Sequence, residues 1–330
     1  MSRKPGPRRR GWFWLGGGVA AGAVAYAATR GKSATDEKHD LPRAAVGPLV
    51  SDEQWAADRQ YIDTNLKPKR VGSWQTELID LGQGEPILYI PILAHVEVIY
   101  ARQLRDFAQD HRVLLYRRPE ATAQPVSIAE RVAEVRELLD DLGIERVHIV
   151  GRGEGAVVAS EFAFAYPART RSLVMVSLGM DHKVPPVPLT NALNWTLLHL
   201  PIEGWALTDD SWRLKVIKFL SGKDQRLTWD QLMSVYKQIP DFIKVCKYSV
   251  TPIVLYHDLR GKAQRLRVPT LLITTEEDPR ATRADLEELA AALPDCRGVH
   301  VLPYGGRFVN YVAGDEVNRL IREFYGTLGS

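Results

Sequence analysis

Apolar positions along the chain switch repeatedly between two spacings. Trp55, Ala56, Arg59 and Ile62 recur at helical intervals behind Ser51, a fitting N-cap, and predict a helix over residues 52–65. Residues 74–81 alternate as a strand does, Gly82-Gln83-Gly84 turns the chain, and residues 86–92 are an unbroken apolar run. Such a run predicts a strand covered on both faces, as in a parallel sheet flanked by helices. The pattern continues with a helix over 98–109, a strand over 112–116, a helix over 128–142 and strands over 146–150 and 173–178. Strands alternating with helices specify an α/β fold with a mostly parallel, doubly wound sheet.

The alternation then stops. Pro185, Pro186, Pro188 and Pro201 introduce a stretch that reads as helices over 191–199, 211–220, 228–238 and 241–248. Strand 268–273, helix 283–293 and strand 298–302 resume the earlier rhythm. The expected organisation is therefore a core of residues 51–180 and 259–330 with a helical cap inserted as 181–258. Trp195, Trp205, Trp212 and Trp229 are half of the chain's eight tryptophans and fall within that cap. They either line an apolar pocket over the sheet edge, with Trp195 and Trp212 as ligand-contacting candidates, or fill the seam between cap and core.

Charge changes the picture at one end. Residues 1–32 hold seven Lys/Arg and no acid, leaving 36 basic against 40 acidic side chains in the rest. That mildly acidic body argues against a nucleic-acid partner. Arg3, Lys4, Arg8, Arg9 and Arg10 precede an uncharged run over 11–29, long enough as a helix to span roughly 28 Å, near the ~30 Å of a bilayer's hydrocarbon. Residues 1–30 read as a membrane anchor with the body outside the cytoplasm, or as an export signal cleaved after Ala25-Tyr26-Ala27. Residues 31–50 read as a polar tether. Cys246 and Cys296 show neither metal nor redox spacing.

The stretch with the most chemistry follows the strand at 146–150. There Gly151-Arg152-Gly153-Glu154-Gly155 passes directly into a helical pattern of small and apolar residues. This five-residue turn resembles the nucleophile elbow, G-x-S-x-G, of the α/β-hydrolase superfamily. The resemblance runs from about residue 75 to 325, and it implies the α/β-hydrolase fold with a cap insertion. It also assigns places to a catalytic triad, and here the residues depart from the superfamily. Gly153 holds the nucleophile's place and has no side chain. Pro91-Ile92 stands where a His-Gly pair usually helps form the oxyanion hole, and proline offers no N–H. Tyr116-Arg117-Arg118-Pro119 replaces an Asp-x-x-Gly-like loop. Asp278 matches the triad acid, whereas Arg307 occupies the place of the histidine base, and a guanidinium accepts no proton near neutral pH.

The resemblance thus implies a degenerate triad (Gly153, Asp278, Arg307) and a protein that binds a small apolar or anionic ligand, or another protein, without hydrolysing it. Arg152, Glu154, Pro91, Ile92, His95, Arg307, Trp195 and Trp212 are the candidate ligand-binding residues. Arg307 and Asp278 are expected to pair as an ionic clasp; alternatively Arg152 and Arg307 hold a carboxylate or phosphate at the start of the elbow helix. The rival expectation is an active enzyme, either a hydrolase with a relocated nucleophile such as Glu154 or a nucleophile-free lyase, decarboxylase or isomerase using Asp278, His95 or Glu154. No cofactor is expected. Glu276, Glu277 and Asp278 without histidines read as an acidic turn, not a metal site.

Overall fold

A computed structural model describes residues 50–182, 192, 195, 196, 199 and 226–329. Eight strands form one sheet: β1 (Lys67–Val71), β2 (Trp74–Leu81), β3 (Pro86–Ile90), β4 (Arg112–Tyr116), β5 (Val147–Arg152), β6 (Thr170–Val176), β7 (Thr270–Thr275) and β8 (Cys296–Leu302). Their order is β1-β2-β4-β3-β5-β6-β7-β8. β2 runs antiparallel to both β1 and β4, and every other neighbouring pair is parallel. The carboxyl ends of β3 to β8 therefore share one edge, where α/β sheets collect their functional loops.

Alternation along β3 explains its unbroken apolar run. Ile87 and Tyr89 join the core on one face of the sheet. Leu88 and Ile90 join the core on the other. The first face is covered by α1 (Asp52–Asn65), α2 (Ala101–Phe107), α9 (Val309–Val312) and α10 (Gly314–Gly326), through residues such as Ile62, Phe107, Tyr311 and Phe324. The second is covered by α3 (Ile128–Asp141), α4 (Glu154–Ala165) and α8 (Arg283–Ala292), through Leu138, Phe162 and Leu289. Hydroxyl caps start these helices as the sequence suggests. Ser51 Oγ accepts the Gln54 N–H, and capping boxes pair Ser127 with Glu130 and Thr282 with Asp285.

Three local differences from the sequence reading have clear causes. β1 is absent from the expected strands because its Lys-Pro-Lys-Arg start is polar; as an edge strand it tolerates Pro68 and leaves most of its length exposed. The helix expected over 98–109 begins as a 3-10 turn, Glu97–Tyr100, before α2. The helix expected over 241–248 is broken up and runs further, as α6 (Phe242–Val245), a π-turn (Cys246–Val250) and α7 (Thr251–Tyr256), with α5 (Trp229–Tyr236) before it. Pro252, the second residue of α7, has no N–H to give the preceding turn.

An isolated antiparallel bridge joins Asp181 to Asp258, where the chain leaves β6 and returns toward β7. Between them, most of residues 183–225, with Trp205 and Trp212, lie outside the described residues, as do 1–49 with the anchor and tether readings. Among the described residues, no helix is long and apolar enough to cross a membrane.

Candidate functional site

Close backbone approach builds the turn between β5 and α4. A Cβ on Gly151 would sit 2.5 Å from the Gly155 carbonyl oxygen, and one on Gly155 would sit 2.5 Å from that of Ile90. Both places exclude any side chain. Gly153 differs: its backbone takes φ 51° and ψ −117°, and a Cβ there would meet nothing within 4 Å. The Gly153 N–H donates to the Val176 carbonyl over 2.8 Å, and its own carbonyl accepts from Ala156 and Val157. The tip of a nucleophile elbow is therefore formed, and among the described residues nothing crowds it, with a hydrogen atom in place of a reactive group.

The loop after β3 packs beneath this turn, with the Pro91 carbonyl 3.3 Å from where a Gly155 Cβ would lie. Pro91 and Ile92 are buried. Further along that loop two N–H groups are engaged: Ala94 donates to Glu120 Oε1 (2.8 Å) and His95 to Glu97 Oε1 (3.1 Å). The His95 imidazole is held below its ordinary pKa by burial and by Arg117, and the acids acting on it are Glu77, Asp63 and Glu120. It borders a crevice with Arg59, Asp63, Glu97 and Arg117. That placement removes His95 as a partner for Asp278.

Glu154 also departs from expectation. Its carboxylate pairs with Arg118, which binds Glu120 over 3.1 Å; Arg131 lies 3.8 Å from Glu120 and 2.9 Å from Glu134. Two guanidiniums thus face three carboxylates, leaving one negative charge in excess. Burial outweighs the pull of Arg118 and pushes Glu154 up to about 7. Glu154 therefore neutralises Arg118 rather than Arg152. The pair ties the elbow to the loop after β4.

On the other side of the turn, Asp278 follows β7 and is 2% exposed. Its Oδ1 accepts the Arg280 N–H over 2.9 Å, and its Oδ2 is sealed without a hydrogen-bond partner. Arg307 lies on the 3-10 turn Gly306–Phe308 after β8, a loop braced by Gly305 N–H donation to Glu277 Oε2 (3.0 Å). Among the described residues, Asp278 and Arg307 form no ion pair within 4.0 Å. The expected clasp does not form because the carboxylate is turned back onto its own loop.

Arg152 is the least expected member. It is 3% exposed, its Cζ lies 4.6 Å above the Phe308 ring, and its Nε is sealed without a partner. Burial, then Arg307, push it down to about 10, with Asp278 acting in the opposite sense. Sequence reasoning missed His182, on the loop after β6. Its Nδ1 is sealed without a partner, and burial, followed by Arg280, Arg307, His257 and Arg152, holds the imidazole well below its ordinary pKa. Its one signal was position, four residues beyond the expected end of an apolar strand. Trp195, by contrast, is 54% exposed and stacks on His199 with ring centroids 4.5 Å apart.

A serine–histidine–carboxylate chain does exist elsewhere. Ser172 Oγ lies 2.7 Å from His148 Nδ1, and His148 Nε2 lies 3.1 Å from Glu85 Oε2. Ser172 is fully buried at the amino ends of β5 and β6, beyond reach of an acyl substrate. Among the described residues, no cluster of His, Cys, Asp and Glu could hold a metal ion.

Comparison with known proteins agrees with this geometry. A profile described as "Alpha/beta hydrolase family" matches residues 93–320. The chain is 26% identical over 225 residues to the "Putative carbamate hydrolase RutD" of Stutzerimonas stutzeri (strain A1501), covering 66% of this chain and 83% of the relative. Among solved structures, the enol-lactonase from Burkholderia xenovorans LB400 superposes with a TM-score of 0.61 at 19% identity, covering 79% of this chain and all of the other. Epoxide hydrolase VrEH1 from Vigna radiata gives 0.61 at 18% identity, covering 80% and 98%. A sheet of this order, an elbow between β5 and α4, and a profile spanning more than two thirds of the sequence make this chain a member of the α/β hydrolase family.

Proposed function

We propose that this protein is a non-hydrolytic member of the family, tethered to a membrane through residues 11–29, that binds a small molecule at the carboxyl edge of its sheet beneath a cap formed by 181–258. The observation that carries the reading is Gly153, a hydrogen atom at the tip of a fully formed elbow. Acyl transfer by a triad needs a nucleophile, a base to deprotonate it and an acid to orient the base. Asp278 supplies only the last, and Arg307 stands in the place of the base. Loss of either missing partner costs factors of thousands or more in turnover. Glu154 does not compensate, because its carboxylate is held by Arg118.

Labelling tests this reading. A fluorophosphonate probe is expected to leave the wild-type protein unmodified, and p-nitrophenyl esters to hydrolyse no faster than with heat-denatured protein. Stoichiometric labelling of one side chain overturns it. Gly153→Ser combined with Arg307→His is expected to gain measurable esterase activity, since among the described residues nothing blocks a Cβ at position 153 and the cost is the strain of a side chain at φ 51°.

One observation favours a second reading, a nucleophile-free lyase or isomerase. His182 has its Nδ1 sealed without a partner, and burial with Arg280, Arg307, His257 and Arg152 holds it well below its ordinary pKa. That suits a neutral base beside guanidiniums that could polarise a carbonyl. On that reading His182→Gln abolishes turnover of the substrate while leaving its binding intact.

A further inference from the structure

The elbow region holds a buried positive charge without a counter-ion. Among the described residues, the Arg152 Nε is sealed without a hydrogen-bond partner and its guanidinium has no carboxylate within 4.0 Å, although the residue is 3% exposed. A guanidinium removed from water without a partner costs several kcal/mol, and a ring face such as that of Phe308 recovers only about 0.5–2 kcal/mol. Nor do the surroundings supply the missing charge. Asp278 acts on Arg152 favourably, but Arg307 acts against it and is the larger influence. One residue further on, α4 begins with Glu154 and Gly155, whose N–H groups have no acceptor within the helix. The start of a 12-residue helix adds partial positive charge at that point. Gly153 separates Arg152 from these N–H groups along the chain, and among the described residues nothing lies within 4 Å of a would-be Cβ there.

We propose that Arg152 and the first N–H groups of α4 bind the oxyanion head group of a small organic acid, a carboxylate or a phosphate. The assignment rests on the reading that the site binds without hydrolysing. The planar guanidinium fork matches two oxygens of either group. An anion there satisfies donors that the folded protein leaves unmet, and the missing nucleophile side chain makes room for it. The absence of a side chain at Gly153 and the burial of Arg152 then serve one task, holding a charged head group.

Equilibrium dialysis of the full chain in low salt tests this, with octanoate, octyl phosphate, inorganic phosphate and 1-octanol as probes, on wild type, Arg152→Gln and Arg152→Lys. Octanoate or octyl phosphate is expected to bind wild type at least about tenfold more tightly than 1-octanol. Arg152→Gln is expected to lose about tenfold of that affinity and Arg152→Lys to keep part of it. Inorganic phosphate binding as tightly as octyl phosphate assigns the site to free phosphate instead of a lipid-like acid. Thermal melts of wild type alone keep the test sound if a variant misfolds: the anions raise the melting temperature and 1-octanol does not. Equal binding of octanoate and 1-octanol, or unchanged octanoate binding by Arg152→Gln, overturns the anion site and leaves the non-hydrolytic reading standing. Failure of every anion to bind also overturns the anion site. Ester turnover or fluorophosphonate labelling overturns the non-hydrolytic reading itself.

Discussion

Glu154 shows how a single side chain can keep its place next to the chemistry while doing something else. It is the residue after the nucleophile slot, yet its carboxylate reaches away to Arg118, among Glu120 and Arg131. Its folded value, about 7, lies above an unfolded value near ~4.3. Between those limits the folded state binds the extra proton. The stability Glu154 contributes is therefore present below about pH 4.3 and lost as pH rises through about 7. Subtracting the melting profile of Glu154→Gln from that of wild type isolates this term from the histidines. The difference is expected to favour wild type at about pH 5 and to turn against it by about pH 8. A flat difference would place the excess negative charge of the network elsewhere.

At the scale of elements, the elbow is held by contacts that no catalytic step requires. Gly155→Ala would drive a methyl group to 2.5 Å from the Ile90 carbonyl oxygen, backbone against backbone, in the middle of the sheet. Neither β3 nor α4 can yield without disturbing the cores behind them. The expected cost is roughly 3–5 kcal/mol in denaturant unfolding, with a loss near zero showing that α4 can slide. This element was legible beforehand, since a β-branched run breaking into three alternate glycines admits few structures. Asp278 and Arg307 were legible for the same reason, being fixed at the ends of strands with clear periodicity. Other features were hidden by their physics. β1 carries little hydrophobic signal because an edge strand buries little. The Glu154–Arg118 pair joins residues 36 positions apart, and charge pairing across that separation leaves no periodic trace. His182 sits on a loop where only the folded sheet brings Arg152 and Arg307 near it.

Across the whole molecule the two ends of the sheet carry different tasks. The amino ends bury Ser172 and His148 beneath Tyr325, whose ring lies 4.4 Å from that of His148, with the exposed Glu85 reaching His148 from the rim. Stability is built there, and the hydroxyl has no route to a substrate. The carboxyl ends collect Gly153, Arg152, His182, Asp278 and Arg307, and the proposed ligand site lies at that edge. The chain enters this body through Val50, which is buried and held by Gln231 Nε2 at 3.0 Å. On the proposed membrane-tethered reading, the tether would join the body at this fixed point. Full-length protein is accordingly expected to stay with membranes through an alkaline carbonate wash, and a chain starting at residue 50 to be released by it. Release of both forms removes the anchor from the proposal.

The spacing of Gly151 and Gly155 has a broader consequence. Both are dictated by how near one backbone passes another, so that outline outlives any reaction once run at its centre. In the five-residue signature the outer letters report architecture, and only the middle letter reports chemistry. Sorting chains of this kind by that middle letter would separate working catalysts from those that have turned the same crevice to recognition.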